Sequence, residues 1–473
     1  MKIYDQYYMF AIAKELITYD DIWEIPKPKS AYNVLVMGID NLSRLNFLRT
    51  MPKTYTYLKD NGAIELLGYN KVGDNSLPNI AALLLGHHES ELKKMCHPVK
   101  HTNFDDCPFI WHWYKEAGYY TAFGEDSSYL GTFNYFEYGF RKMPTDYYLH
   151  PYFVEAENYA AENMVFSSYL CMGEHYFYKI LLEYIENLTI TLEDKKYFGF
   201  FWETTMSHDD LNYPMVMDDS YVQFFKSLES KNKLDTTIIF LISDHGMRWG
   251  PIRSTEQGRL EERLPFVYFL APESFRNNYS LAFNNLRYNA LRLTTPFDMH
   301  ETLLDLIDLE NIENESIEKR SREDYENNRG ISLFLPISGN RTCRSASIAD
   351  HWCTCHRGKQ IPNWSDVAVS AASNLIQQLN ALLQKYPQCA RLEIEKIVGA
   401  SEIISETLKT NESDWQDFLV VVTTKPGGGM FEATLRFDKK TWTLTGTASR
   451  LNLYGEQSHC VQDAHVKLYC YCK

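Results

Sequence analysis

Across 473 residues the chain carries 47 lysines and arginines against 62 aspartates and glutamates, a formal charge of −15. General binding of nucleic acid needs a basic face, so that partner class is excluded. A hydrophobic share of 45% and an aromatic share of 14% exclude global disorder, and runs such as Ile80 to Leu85 are far too short to span a membrane. The length predicts two or three domains with ample material for a large core.

Residues 1–30 form a lead-in segment. Asp5, Lys14 and Glu15 deny it the apolar core of a signal peptide. The expectation is a missing leader or N-terminal membrane anchor. Ala31 to Asp40 (AYNVLVMGID) then reads as a buried strand ending in a glycine and a carboxylate. Lys196 to Trp202, Thr236 to Asp244 and Phe266 to Leu270 have the same character. Helix-like segments lie among them, at Thr50 to Asp60, Pro78 to Leu85, Phe109 to Ala117 and Tyr176 to Asn187. Near-continuous apolar strands alternating with helices predict an α/β domain over residues 31–309, its mostly parallel sheet flanked by helices.

Residues 310–356 form a connector: Glu310 to Asn328 is charged and reads as a solvated loop, and a cysteine-bearing segment follows. From 357 to 473 the pattern predicts a helix at Val367 to Lys385 with Leu375, Leu379, Leu382 and Leu383 on one side. Strands at Asp417 to Thr424 and Gly429 to Phe437 then flank the turn Lys425-Pro426-Gly427-Gly428, with two or three more before Cys472. The expected product is a small, antiparallel, disulfide-rich C-terminal β domain.

Ten cysteines are present, seven in the last third, including the Cys-x-Cys pairs Cys353/Cys355 and Cys470/Cys472. Zinc is the rival use, with His356 nearby, but one intervening residue fits structural zinc spacing poorly. The even count fits disulfides better, with connectivity open. Sequons stand at Asn41, Asn187, Asn278, Asn314, Asn340, Asn363 and Asn411. Together these predict a secreted or lumenal chain that passed through an oxidising compartment.

In open α/β sheets ligands gather at the carboxyl ends of strands. Asp40 closes the first strand and Asp244-His245-Gly246 closes a later one, a donor set suited to zinc or manganese. An isolated aspartate there is equally a helix cap. The segment Gly73-Asp74-Asn75-Ser76-Leu77-Pro78-Asn79 precedes an apolar helix closed by Gly86, which puts Ser76 at a helix N-terminus. Serine there is ordinarily a cap; its functional use is as a nucleophile beside a metal.

Taken in this order, the motifs resemble the alkaline phosphatase/sulfatase superfamily. Ser76-Leu77-Pro78-Asn79 is similar to the Thr-x-Pro-Asn nucleophile of its phosphodiesterase branch. More closely, the chain resembles a metazoan sulfatase-like ectodomain family of unknown function. Met37 to Arg44, the Gly-Asp-Asn-Ser-x-Pro-Asn segment, Asp244-His245-Gly246, Glu261 to Pro265, Arg341 to Cys355 and the terminal Cys-Tyr-Cys carry that resemblance.

The resemblance implies one divalent metal, zinc first, with manganese, calcium or magnesium as alternatives. Asp40, Ser76, Asp244 and His245 would be its ligands and Ser76 the catalytic nucleophile. His208 matches a substrate-binding or second-metal position, and Asp298 to Thr302 matches a helix start that shapes the fold. Arg44, Arg248 and Arg253 read as structural or surface arginines rather than ester contacts. The implied activity is hydrolysis or transfer of phosphate esters or diesters, on a glycan or a lipid head group. The alternatives are a sulfatase and a silent glycan- or protein-binding ectodomain. Two departures favour phosphorus: Ile80 stands where formylglycine sulfatases have arginine, and Asp40-Asn41 replaces their paired aspartates. Asn41 is expected to be unglycosylated, which leaves Asn187, Asn278, Asn314, Asn340, Asn363 and Asn411 as acceptor candidates.

Overall fold

Strands covered on both faces need apolar residues at successive positions, and the runs singled out above supply them. In the computed structural model of the chain, residues 6–14, 27–97, 102–165, 167–325, 328–404 and 415–473 are described. The chain divides into two units, one of Met1–Lys71, Asn75–Gly246 and Leu264–Arg341 and one of Val72–Asp74, Met247–Arg263 and Thr342–Lys473.

The first unit contains β1 (Asn33–Ile39), β2 (Ile64–Glu65), β3 (Tyr120–Glu125), β4 (Tyr147–Tyr148), β5 (Ala161–Val165), β6 (Ser168–Met172), β7 (His175–Tyr176), β8 (Tyr197–Glu203), β9 (Thr237–Ile242) and β10 (Val267–Leu270). Seven of them form one sheet in the order β2-β10-β9-β1-β8-β3-β4. From β9 to β4 the neighbours are parallel. The Phe266 to Leu270 run joins antiparallel to β9. It re-enters the sheet at the end where β9 leaves it, as the Ser243 N–H to Phe266 carbonyl bond of 2.9 Å shows. The remaining strands make a small antiparallel sheet, β5-β6-β7.

Alternation along each strand sends side chains to two cores. Val34, Val36, Phe198, Phe200, Ile238 and Phe240 meet the helices Ser76–Leu85, Ile110–Glu116 and Pro296–Asp305. Leu35, Met37, Ile39, Phe201, Ile239 and Leu241 meet Phe177–Thr191 and Asp218–Ser230. Each such buried aliphatic or aromatic side chain contributes about 1.5–3 kcal/mol before entropy is counted. Gly38 pairs with Trp202 across β1 and β8, and a Cβ there would lie 1.8 Å from the indole. Only glycine lets that tryptophan lie across the strand.

Between Gly86 and Glu174 part of the aromatic content is packed interior, while Trp113, Tyr129, Tyr138 and Tyr159 are exposed. Phe109 stacks on Trp111 at 4.2 Å, Trp111 on Phe123 at 5.4 Å, and Phe133 meets Phe109 edge-on at 5.2 Å. The charged connector also differs from a plain loop. It forms a turn at Leu309–Ile312 and a helix at Asn314–Arg320, because Ile312 and Ile317 reach the core while the acids stay outside.

The second unit is built on β11 (Arg357–Gln360), β12 (Glu393–Ile404), β13 (Gln416–Lys425), β14 (Gly429–Phe437), β15 (Trp442–Leu444) and β16 (Ser449–Arg450). The order is β11-β12-β13-β14-β15, with β16 also on β14, and every pair is antiparallel. The helix Asp366–Leu383, capped by Ser365, lays Leu375, Leu379 and Leu383 against Val420, Val422, Phe431 and Ala433. Disulfides join Cys343 to Cys353, Cys389 to Cys470 and Cys460 to Cys472, and Cys96 to Cys107 in the first unit. Cys171 and Cys355 stay as thiols, so the even count does not resolve into five bridges. Among the described residues no helix is long and apolar enough to cross a membrane.

Candidate metal centre

The sheet reverses its direction of growth at β1: β8 and β3 lie on one side and β9 on the other. Crevices that hold ligands open at the carboxyl ends of strands around such a point. Asp40 follows β1 there, and Asp244 and His245 follow β9. Their ligating atoms lie within 4.8 Å of one another, and all three residues are buried. Ser76 is the first residue of the helix Ser76–Leu85, with Asn75 as its N-cap, and its hydroxyl donates to Asp40 Oδ1 at 3.0 Å. The four residues singled out in the sequence therefore meet at one place.

The electrostatics of this group are specific. His245 Nδ1 is 3.0 Å from the Gly246 carbonyl, which can only accept, so that nitrogen carries a proton. In the neutral ring Nε2 then presents a lone pair, and it faces Asp244 Oδ2 at 3.2 Å and Asp40 Oδ1 at 3.8 Å. Acceptors face acceptors unless a proton or a cation stands between them. Asp244 Oδ1 is already engaged by the N–H groups of Asn41 at 3.1 Å and His245 at 2.9 Å. Burial alone would raise the Asp244 carboxyl, but positive charge on His245 when protonated, the Ser76 hydroxyl, the Asn41 N–H and Asp40 hold it below the usual carboxylate range.

Asn41 adopts a left-handed backbone, φ 61°, and is buried. Its amide donates to the carbonyls of His208 at 2.6 Å and Ser207 at 3.3 Å, tying the loop after β8 to the loop after β1. A glycan has no room there. Of the other sequons, Asn187, Asn278, Asn314 and Asn340 are exposed, Asn363 is half-buried and donates to the Ile397 and Val398 carbonyls, and Asn411 lies outside the described residues. His208 is outside the three-residue ligand group; its Nδ1 faces Asp209 Oδ1 at 3.0 Å. Burial would raise the Asp209 carboxyl, and contacts with His208 and Ser167 hold it low instead.

His300 has a packing role. Its Nδ1 donates to the Leu83 carbonyl at 2.9 Å, and its ring lies beside Gly86, whose φ of 67° closes the helix. Burial pushes its imidazole down to about 4. Thr295 and Asp298 form a capping box, and Asp298 also pairs with Arg341 at 2.7 Å. Arg44 pairs with Glu65 at 2.6 Å and Arg248 with Asp74 at 3.3 Å, while Arg253 is buried near Glu262 and Glu432.

The sequence reading passed over three further strand-end acids. Glu125 ends β3, Asp126 follows it and Glu203 ends β8; burial pushes the first two up to about 7 and the third well up. Asp126 accepts from Thr204 N at 2.7 Å and Thr205 Oγ1 at 2.6 Å, and Glu203 from Met206 N at 2.9 Å. Their signature in sequence equals that of Asp40, an acid closing an apolar strand.

A mostly parallel sheet flanked by helices, with serine, two aspartates and histidine gathered at its switch point, defines an α/β protein with a strand-end candidate site. The chain belongs to the family described as "Protein of unknown function (DUF229)", matched over residues 4–398. No curated protein matches its sequence. Among solved structures it is similar to a protein of the alkaline phosphatase superfamily from Vibrio parahaemolyticus, at 13% identity over 94% of this chain and 87% of that one, TM-score 0.44. It is also similar to the soluble domain of lipooligosaccharide phosphoethanolamine transferase A from Neisseria meningitidis, at 12% identity over 60% and 90%, TM-score 0.38. A third is murine ectonucleotide pyrophosphatase/phosphodiesterase 5, at 13% identity over 55% and 69%, TM-score 0.31.

Proposed function

We propose that the chain is an extracytoplasmic, metal-dependent hydrolase or transferase of phosphate esters or diesters, with Ser76 as nucleophile. The observation that carries this reading is the convergence of His245 Nε2 with oxygens of Asp40 and Asp244, a set of acceptors that a cation completes. Asp40, Asp244, His245 and the Ser76 oxygen would hold the metal. Bound there, it lowers the pKa of the Ser76 hydroxyl and neutralises charge on the ester oxygens.

The chain's own residues supply the rest. The Ser76 proton already points at Asp40 Oδ1, so the oxygen has an acceptor for it as it attacks phosphorus. The first turn of the helix Ser76–Leu85 carries amide groups without intrahelical acceptors, suited to an anionic ester. Asp209 fixes the His208 ring with Nδ1 toward the carboxylate, and this oriented imidazole is assigned to a substrate oxygen or a leaving group. Four disulfides support an oxidising compartment, and exposed sequon asparagines support glycosylation.

The test is metal analysis of protein expressed through a secretory route, then assays with aryl phosphodiesters and aryl sulfates. Near-stoichiometric metal and phosphodiester turnover that Ser76→Ala abolishes are expected. Turnover of sulfates with formylglycine at position 76 would make it a sulfatase. Neither metal nor Ser76-dependent turnover would leave a silent ectodomain.

A further inference from the structure

Three sulfurs meet in the second unit away from the candidate metal centre. Cys343 and Cys353 are disulfide-bonded, and the Sγ of Cys355 lies within 4.8 Å of both. Cys343 and Cys353 are buried, whereas Cys355 is an exposed thiol. The frame around them is fixed. His351 is held between the hydroxyls of Thr434 at 3.0 Å and Ser449 at 3.1 Å, and Asp350 pairs with Arg436 at 2.7 Å. The Cys353 N–H donates to the Ala349 carbonyl at 3.2 Å. Cys355 lies just beyond this frame, two residues before β11 begins at Arg357.

We propose that Cys343, Cys353 and Cys355 form a thiol–disulfide exchange site, with Cys355 as entry nucleophile and small thiols and disulfides of the glutathione class as its external partners. In the internal step the Cys355 thiolate attacks Cys343 Sγ. The Cys343–Cys355 bond forms, the Cys343–Cys353 bond breaks, and Cys353 leaves as a thiolate that takes up a proton. Nothing is oxidised or reduced overall. In the external step Cys355 attacks a small disulfide, yielding a mixed disulfide and one free small thiol. Cys343 is the partner in both isomers, because one intervening residue leaves little room for a Cys353–Cys355 ring of ordinary geometry. The exchange decides whether the free thiol is the exposed Cys355 or the buried Cys353. Though exposed, the Cys355 sulfur is partly desolvated by the surrounding protein, which pushes the thiol up, so below its pKa the exchange quickens about tenfold per pH unit.

The test incubates the whole protein in a reduced and oxidised glutathione buffer, quenches with acid, alkylates with N-ethylmaleimide and digests with trypsin. Cleavage after Arg341, Arg344 and Arg357 leaves Thr342–Arg344 linked to Ser345–Arg357. Fragmentation at Thr354 then shows which cysteine carries the link and which the maleimide. Both isomers are expected in the wild type, Cys343–Cys353 alone in Cys355→Ser, and Cys343–Cys355 in Cys353→Ser. A wild-type protein holding only Cys343–Cys353 at every pH and glutathione ratio would overturn the proposal. So would Cys355 linked to Cys171 or to a second copy, or zinc held by all three sulfurs. Wild-type mapping decides even if Cys353→Ser does not fold.

Discussion

Each unit buries a cluster of charged side chains, and the two clusters are built on opposite principles. In the second unit Arg263 meets Glu432 at 2.8 Å and Glu262 at 3.1 Å, and Arg253 stands 3.5 Å from Glu432 and 3.7 Å from Glu262. Two guanidinium groups balance two carboxylates, and Arg263 also donates to the carbonyls of His351 at 3.0 Å and Arg259 at 2.8 Å. In the first unit Asp40 and Asp244 face the Nε2 edge of His245, and the Ser76 hydroxyl donates to Asp40. Burial of charge does not by itself mark a functional site. Guanidinium groups interleaved with carboxylates satisfy one another, whereas two carboxylates converging on one imidazole edge make a donor set suited to a cation.

The largest effect should come from Asp40→Asn. It removes a ligand charge from the centre, so metal content and phosphodiester turnover should both fall, turnover by on the order of 10³-fold. The same change lowers the negative charge facing Asp244 in the metal-free protein. Stripped of metal, the variant should melt at or above the wild-type temperature, measured by calorimetry after chelation. A stripped variant much less stable than stripped wild type would show that the acids are balanced within the fold, and the contrast would break.

Glu432→Gln should do the reverse. It leaves Arg263 and Arg253 buried with one carboxylate between them, at a cost of about 3–5 kcal/mol in denaturant unfolding. Metal content should not change. Glu432 is held below its ordinary value: burial opposes ionisation, and Arg263 and Arg253 outweigh it. Its contribution is therefore present above an unfolded pKa near 4.3 and fades as pH falls through the lower folded value. The variant should lack that acid slope.

How much of this was legible in the sequence follows the same division. Asp40, Asp244 and His245 showed themselves because each closes an apolar strand, and Ser76 because Pro78 and an apolar helix follow it. Asp126 and Glu203 close strands in the same way, yet Thr204, Thr205 and Met206 answer their oxygens, which sequence order alone does not disclose. The Nδ1 proton of His245 and the Asn41 tether depend on carbonyls placed by folding, so they too were hidden. Glu256–Arg263 reads as a surface helix from its charges, but Glu261, Glu262 and Arg263 are buried, and a partner of Arg263, Glu432, lies far along the chain. The strand Glu393–Ile404 is hidden in sequence because its exposed charges Glu393, Glu395 and Lys396 interrupt the apolar alternation.

His300 offers a neutral counterpart to both clusters, a buried titratable group satisfied by one carbonyl. Its pKa of about 4 lies below the ordinary 6.5, so the unfolded chain takes up a proton first as pH falls. Stability should decline between pH 6.5 and 4, by up to about 3 kcal/mol from this residue. His300→Gln retains a donor for the Leu83 carbonyl and should flatten that part of the profile relative to wild type. Parallel urea curves at pH 7, 5.5 and 4.5 measure the difference; equal slopes in the two proteins would place the acid sensitivity elsewhere.

The smallest effect should come from Glu91. Its carboxyl is held down to about 2, first by hydrogen bonds from Arg329, which it meets at 2.6 Å. Geometry and partner chemistry match the Arg263–Glu432 pair, so a reading from distances alone would rank the two alike. Exposure separates them: Glu91 and Arg329 are 39% and 37% exposed, against 3% for Glu432 and 0% for Arg263. Water solvates both partners before and after pairing, salt screens what remains, and breaking the pair leaves neither charge stranded. Glu91→Gln should therefore cost less than about 1 kcal/mol, and most of that should vanish at high salt. Glu432→Gln should keep its cost under the same conditions. If the two substitutions cost the same and respond alike to salt, burial is not what distinguishes the second unit's cluster, and the reading of the first unit's converging acids as a cation site weakens with it.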